Sequence, residues 1–224
     1  LLAKLINVRQ STSMVECAMR NVLYAAGRAG FRLRSKRTLR PETAARAAER
    51  RRLVFCSHNL SAVEGAPKVL LEVVKYMNTR NIKAEDMLVV SPHDGELRDE
   101  YSALGVPVRI LACLAAAGSD TASYGQAMLE FAVCCRDFAP AMLYANVIDA
   151  FWAVDAASRL KLPALWAIHE SVDPLSWKAD LAPALRLAFL RSLASVPRAV
   201  FVAQSTERLF APYLRAGAAV VIPN

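Results

Sequence analysis

Along most of the chain, short apolar runs alternate with longer stretches in which apolar residues return every three or four positions. The runs at 53–57, 87–91, 106–111, 141–144, 164–169, 199–203 and 219–222 predict seven strands. The amphipathic stretches at 67–79, 96–103, 123–138, 150–161, 181–195 and 206–214 predict the helices between them. The strand runs are apolar throughout rather than alternating, which is the mark of a sheet covered on both faces. One-for-one alternation with helices predicts a doubly wound α/β domain: a mostly parallel, Rossmann-like sheet with helices on both faces and right-handed crossovers. The helix at 67–79 sets the frame. Pro67 suits a first helical turn, Val69, Leu70, Val73, Val74 and Met77 form one stripe, and Lys68, Glu72 and Lys75 face the other way.

Residues 1–52 follow another pattern. They read as a basic helical linker, or the tail of a preceding domain, interrupted at Gly27 and Gly30 and resumed at Pro41. This segment explains the formal charge of +8, because it holds thirteen Lys and Arg against three Asp and Glu. The remaining 53–224 carry fifteen basic against seventeen acidic residues, so the domain itself is nearly neutral. A nucleic-acid partner is not expected: the tail has only Tyr24 and Phe31 to stack on bases. Its charge leaves room for peripheral contact with an anionic membrane surface.

The five cysteines (Cys17, Cys56, Cys113, Cys134, Cys135) are odd in number and lack metal-ligand spacing, which fits reduced thiols in a cytoplasmic protein and no bound metal. No apolar run approaches the roughly 18 residues of a membrane span, and the opening residues make a poor signal peptide. The chain starts at Leu1 rather than Met, so it is expected to be a piece of a longer polypeptide.

In open α/β sheets, ligands bind beyond the carboxyl ends of the strands. Those positions are polar here: Ser57, His58 and Asn59; Pro92, His93, Asp94 and Gly95; Asn146 and Asp149; His169, Glu170 and Ser171; Gln204, Ser205 and Thr206. All three histidines fall among them. The loop after the first run has one glycine, Gly65, leading into the helix, so its backbone amides can face an anion. GxGxxG, GxxxxGK[ST] and GxSxG are all absent, which disfavours a nicotinamide dehydrogenase, a P-loop NTPase and an α/β hydrolase. Asn146 and Ser205 are also of helix-capping type, Asp94-Gly95 suits a turn and helix cap, and Trp152 and Trp166 sit in core-like periodic segments.

Five words then occur in order: Ser57-His58-Asn59-Leu60-Ser61, Gly65-Ala66-Pro67, Ser91-Pro92-His93-Asp94-Gly95-Glu96-Leu97, Leu165-Trp166-Ala167-Ile168-His169-Glu170-Ser171 and Val221-Ile222-Pro223-Asn224. Together they resemble the N-terminal, acceptor-side domain of family-4 retaining glycosyltransferases, built of two Rossmann-like domains facing a cleft (the GT-B fold). The resemblance implies transfer of a sugar from a nucleoside-diphosphate sugar to a glycan or lipid-linked acceptor. Its implied setting is envelope polysaccharide synthesis in a bacterial cytoplasm, at the inner face of the cytoplasmic membrane. It places the donor pyrophosphate against Gly65 and Ala66 and His169 at the reacting sugar. From their strand-end positions, not from the resemblance, His58, Asn59, Asn146, Glu170 and Ser205 are candidate acceptor or sugar contacts, against turn capping for His58 and Asn59 and pairing with a local backbone group for Glu170. Pro223 and Asn224 become the hinge to a C-terminal donor domain not contained in this chain, and no cofactor or metal is implied. The chain departs from the pattern in having Gly-Ala-Pro where many members have two glycines, and Asn81-Ile82-Lys83 where many have a glycine-histidine turn. Two readings of other classes compete: a non-catalytic carbohydrate-binding or scaffolding module, and a nucleotide-sugar epimerase of the same architecture.

Overall fold

The computed structural model describes residues 52–80 and 82–223. The expectations for the tail 1–51, for Asn81 and for Asn224 lie outside the described residues.

All seven predicted strands form: β1 (Leu53–Cys56), β2 (Met87–Ser91), β3 (Val108–Ile110), β4 (Met142–Asn146), β5 (Ala164–Ile168), β6 (Arg198–Phe201) and β7 (Ala219–Val221). They make one sheet in the order β3-β2-β1-β4-β5-β6-β7, with every pairing parallel. The chain leaves β1 toward β2 and β3 and returns beside β1 with β4, so the strand order reverses between β1 and β4. Such a reversal opens a crevice at the carboxyl edge.

Among the described residues the helices are α1 (Gly65–Thr79), α2 (Leu97–Ala103), α3 (Thr121–Phe138), α4 (Phe151–Leu160), α5 (Pro174–Trp177), α6 (Pro183–Ser195) and α7 (Gln204–Phe210). They cover both faces. Val54, Cys56, Leu143, Ala145, Trp166 and Ile168 pack toward α3, α4 and α6, while Leu53, Phe55, Met142, Tyr144, Leu165 and Ala167 pack toward α1 and α2. Successive strand residues thus enter opposite cores, which is why the strands show no polar alternation. Burial of Leu70, Val73, Val74 and Met77 fixes α1 on its face, and Lys75 reaches Glu72 at 3.2 Å on its solvent side. Cys56, Cys113, Cys134 and Cys135 are all free thiols.

Several boundaries differ from the sequence expectation. Asp120 starts α3 two residues early because its carboxylate accepts from the amides of Ala122 and Ser123. Helix α7 begins at Gln204, so Ser205 lies within its first turn and does not cap it. Helix α5 was not anticipated, although Asp173 before Pro174 is a helix-start signature, and the Asp173 carboxylate accepts from Ser176 N. Arg52, counted with the tail by composition, is fixed to the domain: it donates to Phe138 O at 2.9 Å and lies over the Phe138 ring.

The role of Asp94-Gly95 also changes. Helix α2 is preceded by Glu96, and Asp94 instead accepts from Gly95 N and pairs with Arg98. Gly95 is required by a close approach, since a Cβ there would stand 2.4 Å from the Leu60 carbonyl oxygen. Leu97 N donates to that same oxygen at 3.0 Å. Gly95→Ala is therefore expected to destabilise the domain by about 1–3 kcal/mol, because backbone must yield to the methyl group. Chemical denaturation compared with the parent chain measures this, and an unchanged midpoint would contradict the contact.

Candidate functional site

Because every pairing is parallel, the residues that follow the strands gather on one edge. The first loop, Ser57 to Glu64, is closed by its own last residue. Glu64 accepts from Asn59 Nδ2 at 2.7 Å and meets His58 Nε2 at 2.7 Å through its other oxygen. These contacts hold the Glu64 carboxyl below its usual range. Asn59 Oδ1 in turn accepts from Ser61 N, and Glu96 accepts from Ala62 N at 3.0 Å. The loop is thus tied both to itself and to the loop after β2. Ser57 Oγ and His58 Nδ1 are buried and have no hydrogen-bond partner among the described residues.

The loop leads into α1 without a side-chain cap, for Glu64 stands at the capping position with its carboxylate turned to His58 and Asn59. The amides of the first turn therefore remain unclaimed by any capping side chain. Gly65 is exposed there, and a Cβ built on it would meet nothing within 4 Å.

A hydrogen-bonded row joins this helix end to His169. Asn146, fully buried at the end of β4, donates through Nδ2 to Ala66 O at 2.9 Å, and its Oδ1 lies 3.0 Å from His169 Nε2. Asn146 therefore does not cap a helix; it bridges the first turn of α1 to the residue that follows β5. Beyond it the backbone takes an unusual path: Val147 has φ 72° and ψ 161°, a region β-branched residues avoid. The Val147 carbonyl accepts from Trp166 Nε1 at 2.7 Å, and its amide donates to Ala167 O at 2.8 Å. Trp166 is thus a core residue with a polar task, and its indole could not have been assigned one from periodicity.

Glu170 completes the turn. Its Oε2 accepts from Ile148 N at 3.0 Å and from His169 N at 3.1 Å. Burial holds its carboxyl above the usual range, against the downward pull of those bonds. Burial also lowers the His169 pKa to about 4, and the nearby His58 adds to the effect.

Beside this row lies a cleft of about 370 Å³, bounded by His58 and Asn59, by Pro92 and His93, and by Asp149 and Lys178. Asp149 and Lys178 form an ion pair across its rim. Tyr124, Phe151 and Trp152 contribute apolar surface to its floor, so Trp152 serves both core and cleft. Trp177 is 45% exposed on α5. Ser205, by contrast, is exposed on α7 and shares no hydrogen bond with the other candidates, while its neighbour Thr206 is buried and bonded to Ser171. Sequence reasoning missed Glu64, Val147 and Lys178; only Glu64 carried a signal, as an acidic residue placed directly before the glycine.

Among the described residues, no cluster of three or more His, Cys, Asp or Glu side chains is arranged to hold a metal ion. No helix among them is long and apolar enough to cross a membrane.

The burial of His169 has a measurable consequence for stability. The unfolded imidazole takes up a proton near its ordinary value of 6.5, whereas the folded one resists until about 4. Between these values the unfolded state binds more protons, so stability falls as the pH drops through that window. The expected loss is about 2–3 kcal/mol from this group. His169→Gln should remove that part of the acid sensitivity, as judged by denaturation at pH 7 and pH 4; parallel losses in parent and variant would contradict it.

No protein-family model and no curated protein sequence matches the chain. Solved structures do resemble it. Anabaena Alr3699/HepE in complex with UDP superposes with a TM-score of 0.55 at 17% identity, over 77% of this chain and 44% of that one. The same protein in complex with UDP and glucose gives 0.52 at 18% identity, with the same coverage. The spinosyn rhamnosyltransferase SpnG complexed with thymidine diphosphate gives 0.43 at 15% identity, over 67% of this chain and 45% of that one. The chain therefore spans less than half the length of these structures. What the HepE superpositions share with it is the fold: a doubly wound, parallel, Rossmann-like sheet.

Proposed function

We propose that residues 53–224 form the acceptor-side half of a GT-B glycosyltransferase that moves a sugar from a nucleoside-diphosphate donor to a glycan or lipid-linked acceptor. The observation that carries this reading is the row Ala66–Asn146–His169. It sets an uncapped helix N-terminus and a histidine side by side on the carboxyl edge, in a fold shared with a protein crystallised with UDP and glucose. A departing diphosphate gains negative charge as the sugar bond breaks, and aligned helix amides favour that charge more in the transition state than in the ground state. In this reading Gly65 and Ala66 lie against the diphosphate, and His169 contacts the sugar. The cleft bounded by His58 and Asn59 receives the acceptor, and Asn146, Glu170 and Ser205 are further candidate contacts to acceptor or sugar. Helix amides handle the diphosphate without a metal ion, and retention of anomeric configuration follows from the family the sequence resembles. A second Rossmann-like domain, joined through Pro223 and Asn224, supplies the remaining donor contacts. The setting is polysaccharide synthesis at the inner face of a bacterial cytoplasmic membrane.

Two substitutions in the complete enzyme test the assignment. His169→Ala should lower kcat by on the order of a hundredfold with little change in the donor KM, the scale of a contact made best in the transition state. Gly65→Val should raise the donor KM while leaving stability nearly unchanged, because a Cβ at this position meets nothing within 4 Å and the side chain enters the space proposed for phosphate. The isolated chain should bind nucleotide sugars weakly and transfer nothing, since half a cleft leaves the phosphate in water. Robust transfer by the chain alone, or a His169→Ala enzyme with unchanged kcat, would overturn the assignment.

A further inference from the structure

The amide of Asn146 has only one consistent orientation. Its neighbour Ala66 O is a backbone carbonyl, which can only accept, so the atom 2.9 Å from it is the donating Nδ2. Oδ1 then faces the His169 ring, 3.0 Å from Nε2. An amide oxygen cannot donate, so the proton of that bond belongs to Nε2. In a neutral imidazole this leaves Nδ1 bare. Nδ1 makes no hydrogen bond among the described residues, and it is not one of the fully enclosed atoms left without a partner, so it keeps some contact with solvent.

The charged and titratable groups around the ring do not favour a second proton. Glu170 directs its Oε2 to the amides of Ile148 and His169, not to the imidazole. His58 is engaged by Glu64 on its Nε2, and its proximity to His169 opposes a positive charge there. Burial acts in the same direction.

We propose that Asn146 is a positioning residue that locks His169 as the Nε2–H tautomer, so that the histidine meets its ligand through a bare Nδ1. Such a nitrogen accepts a hydrogen bond from a hydroxyl and repels the ionised oxygens of a diphosphate, which have no proton to give. His169 therefore selects a sugar hydroxyl, and the diphosphate is left to the amides of α1. The inference rests on the reading of this edge as a nucleotide-sugar site, but the state of the ring can be measured without catalysis.

Long-range proton–nitrogen NMR of the histidine rings distinguishes the two tautomers and the imidazolium directly. At pH 7 the parent chain should show His169 with a protonated Nε2 and an unprotonated Nδ1. In Asn146→Ala, with the fold verified by circular dichroism, the ring should shift to a mixture of tautomers. An Nδ1–H form or an imidazolium in the parent overturns the proposal, as does an Asn146→Ala spectrum unchanged from it. If Asn146→Ala does not fold, Asn146→Asp provides the second test. It sets a carboxylate beside Nε2 and should raise the His169 titration midpoint by about one unit or more, and an unmoved midpoint overturns the contact. Inorganic pyrophosphate added at pH 7 should leave Nδ1 unprotonated; its protonation would assign the ring to phosphate instead. A complete enzyme without transferase activity that still shows the locked tautomer counts against the proposed function alone. An active enzyme with the other tautomer counts against this inference alone.

Discussion

Val147 is a β-branched residue held at positive φ inside a buried turn, and three hydrogen bonds keep it there. Its carbonyl accepts from the Trp166 indole and from Ala150 N, and its amide donates across to β5. A residue in such a conformation costs on the order of 1–3 kcal/mol and persists only where its surroundings determine it. Here the surroundings are the two central strands. The turn sends the side chain of Asn146 toward α1 and His169, and points the amide of Ile148 at Glu170. Since His169 and Glu170 are consecutive, ring and carboxylate are anchored through the same few backbone atoms. Relaxing Val147 to an ordinary conformation would move all of these groups together.

The rest of the fold protects that arrangement. Each face of the sheet is sealed by its own apolar cluster, so the strands beneath the edge have no solvent-facing side along which to shift register. Polar groups along the edge are mostly paired with their neighbours: Glu64 with His58 and Asn59, Glu170 with two amides, Ser171 with Thr206. Local pairing makes the edge rigid before any ligand arrives, which lowers the ordering cost of binding.

Strand number, strand order class and the gathering of the histidines on one edge were all legible in the sequence. They depend on periodicity and on the rule that parallel strands share a direction, and both are written into residue type. Helix α5 and the early start of α3 depended on single capping side chains, Asp173 and Asp120, whose weight is small beside hydrophobic patterning. Within the site, His58, Asn59, Asn146, His169 and Glu170 could be nominated because polar residues at strand ends are conspicuous. Their pairing could not. Asn146 looks the same in sequence whether it caps a helix or bridges to Ala66 and His169, and nothing in the word Ala-Asn-Val announces that the valine will adopt positive φ. Those outcomes are settled by contacts 22 to 80 residues apart along the chain.

The carbonyl of Leu60 joins two loops that the sequence keeps well apart. It receives the amide of Leu97, and the backbone at Gly95 rests directly against it. Loops at the carboxyl edge of an α/β sheet are the parts such proteins alter to meet new ligands. These two are not separable modules, however, because lengthening either would pull the shared oxygen out from under the other. For anyone grafting a new specificity onto this scaffold, residues 57–64 and 92–97 form one cassette, to be exchanged whole or left alone.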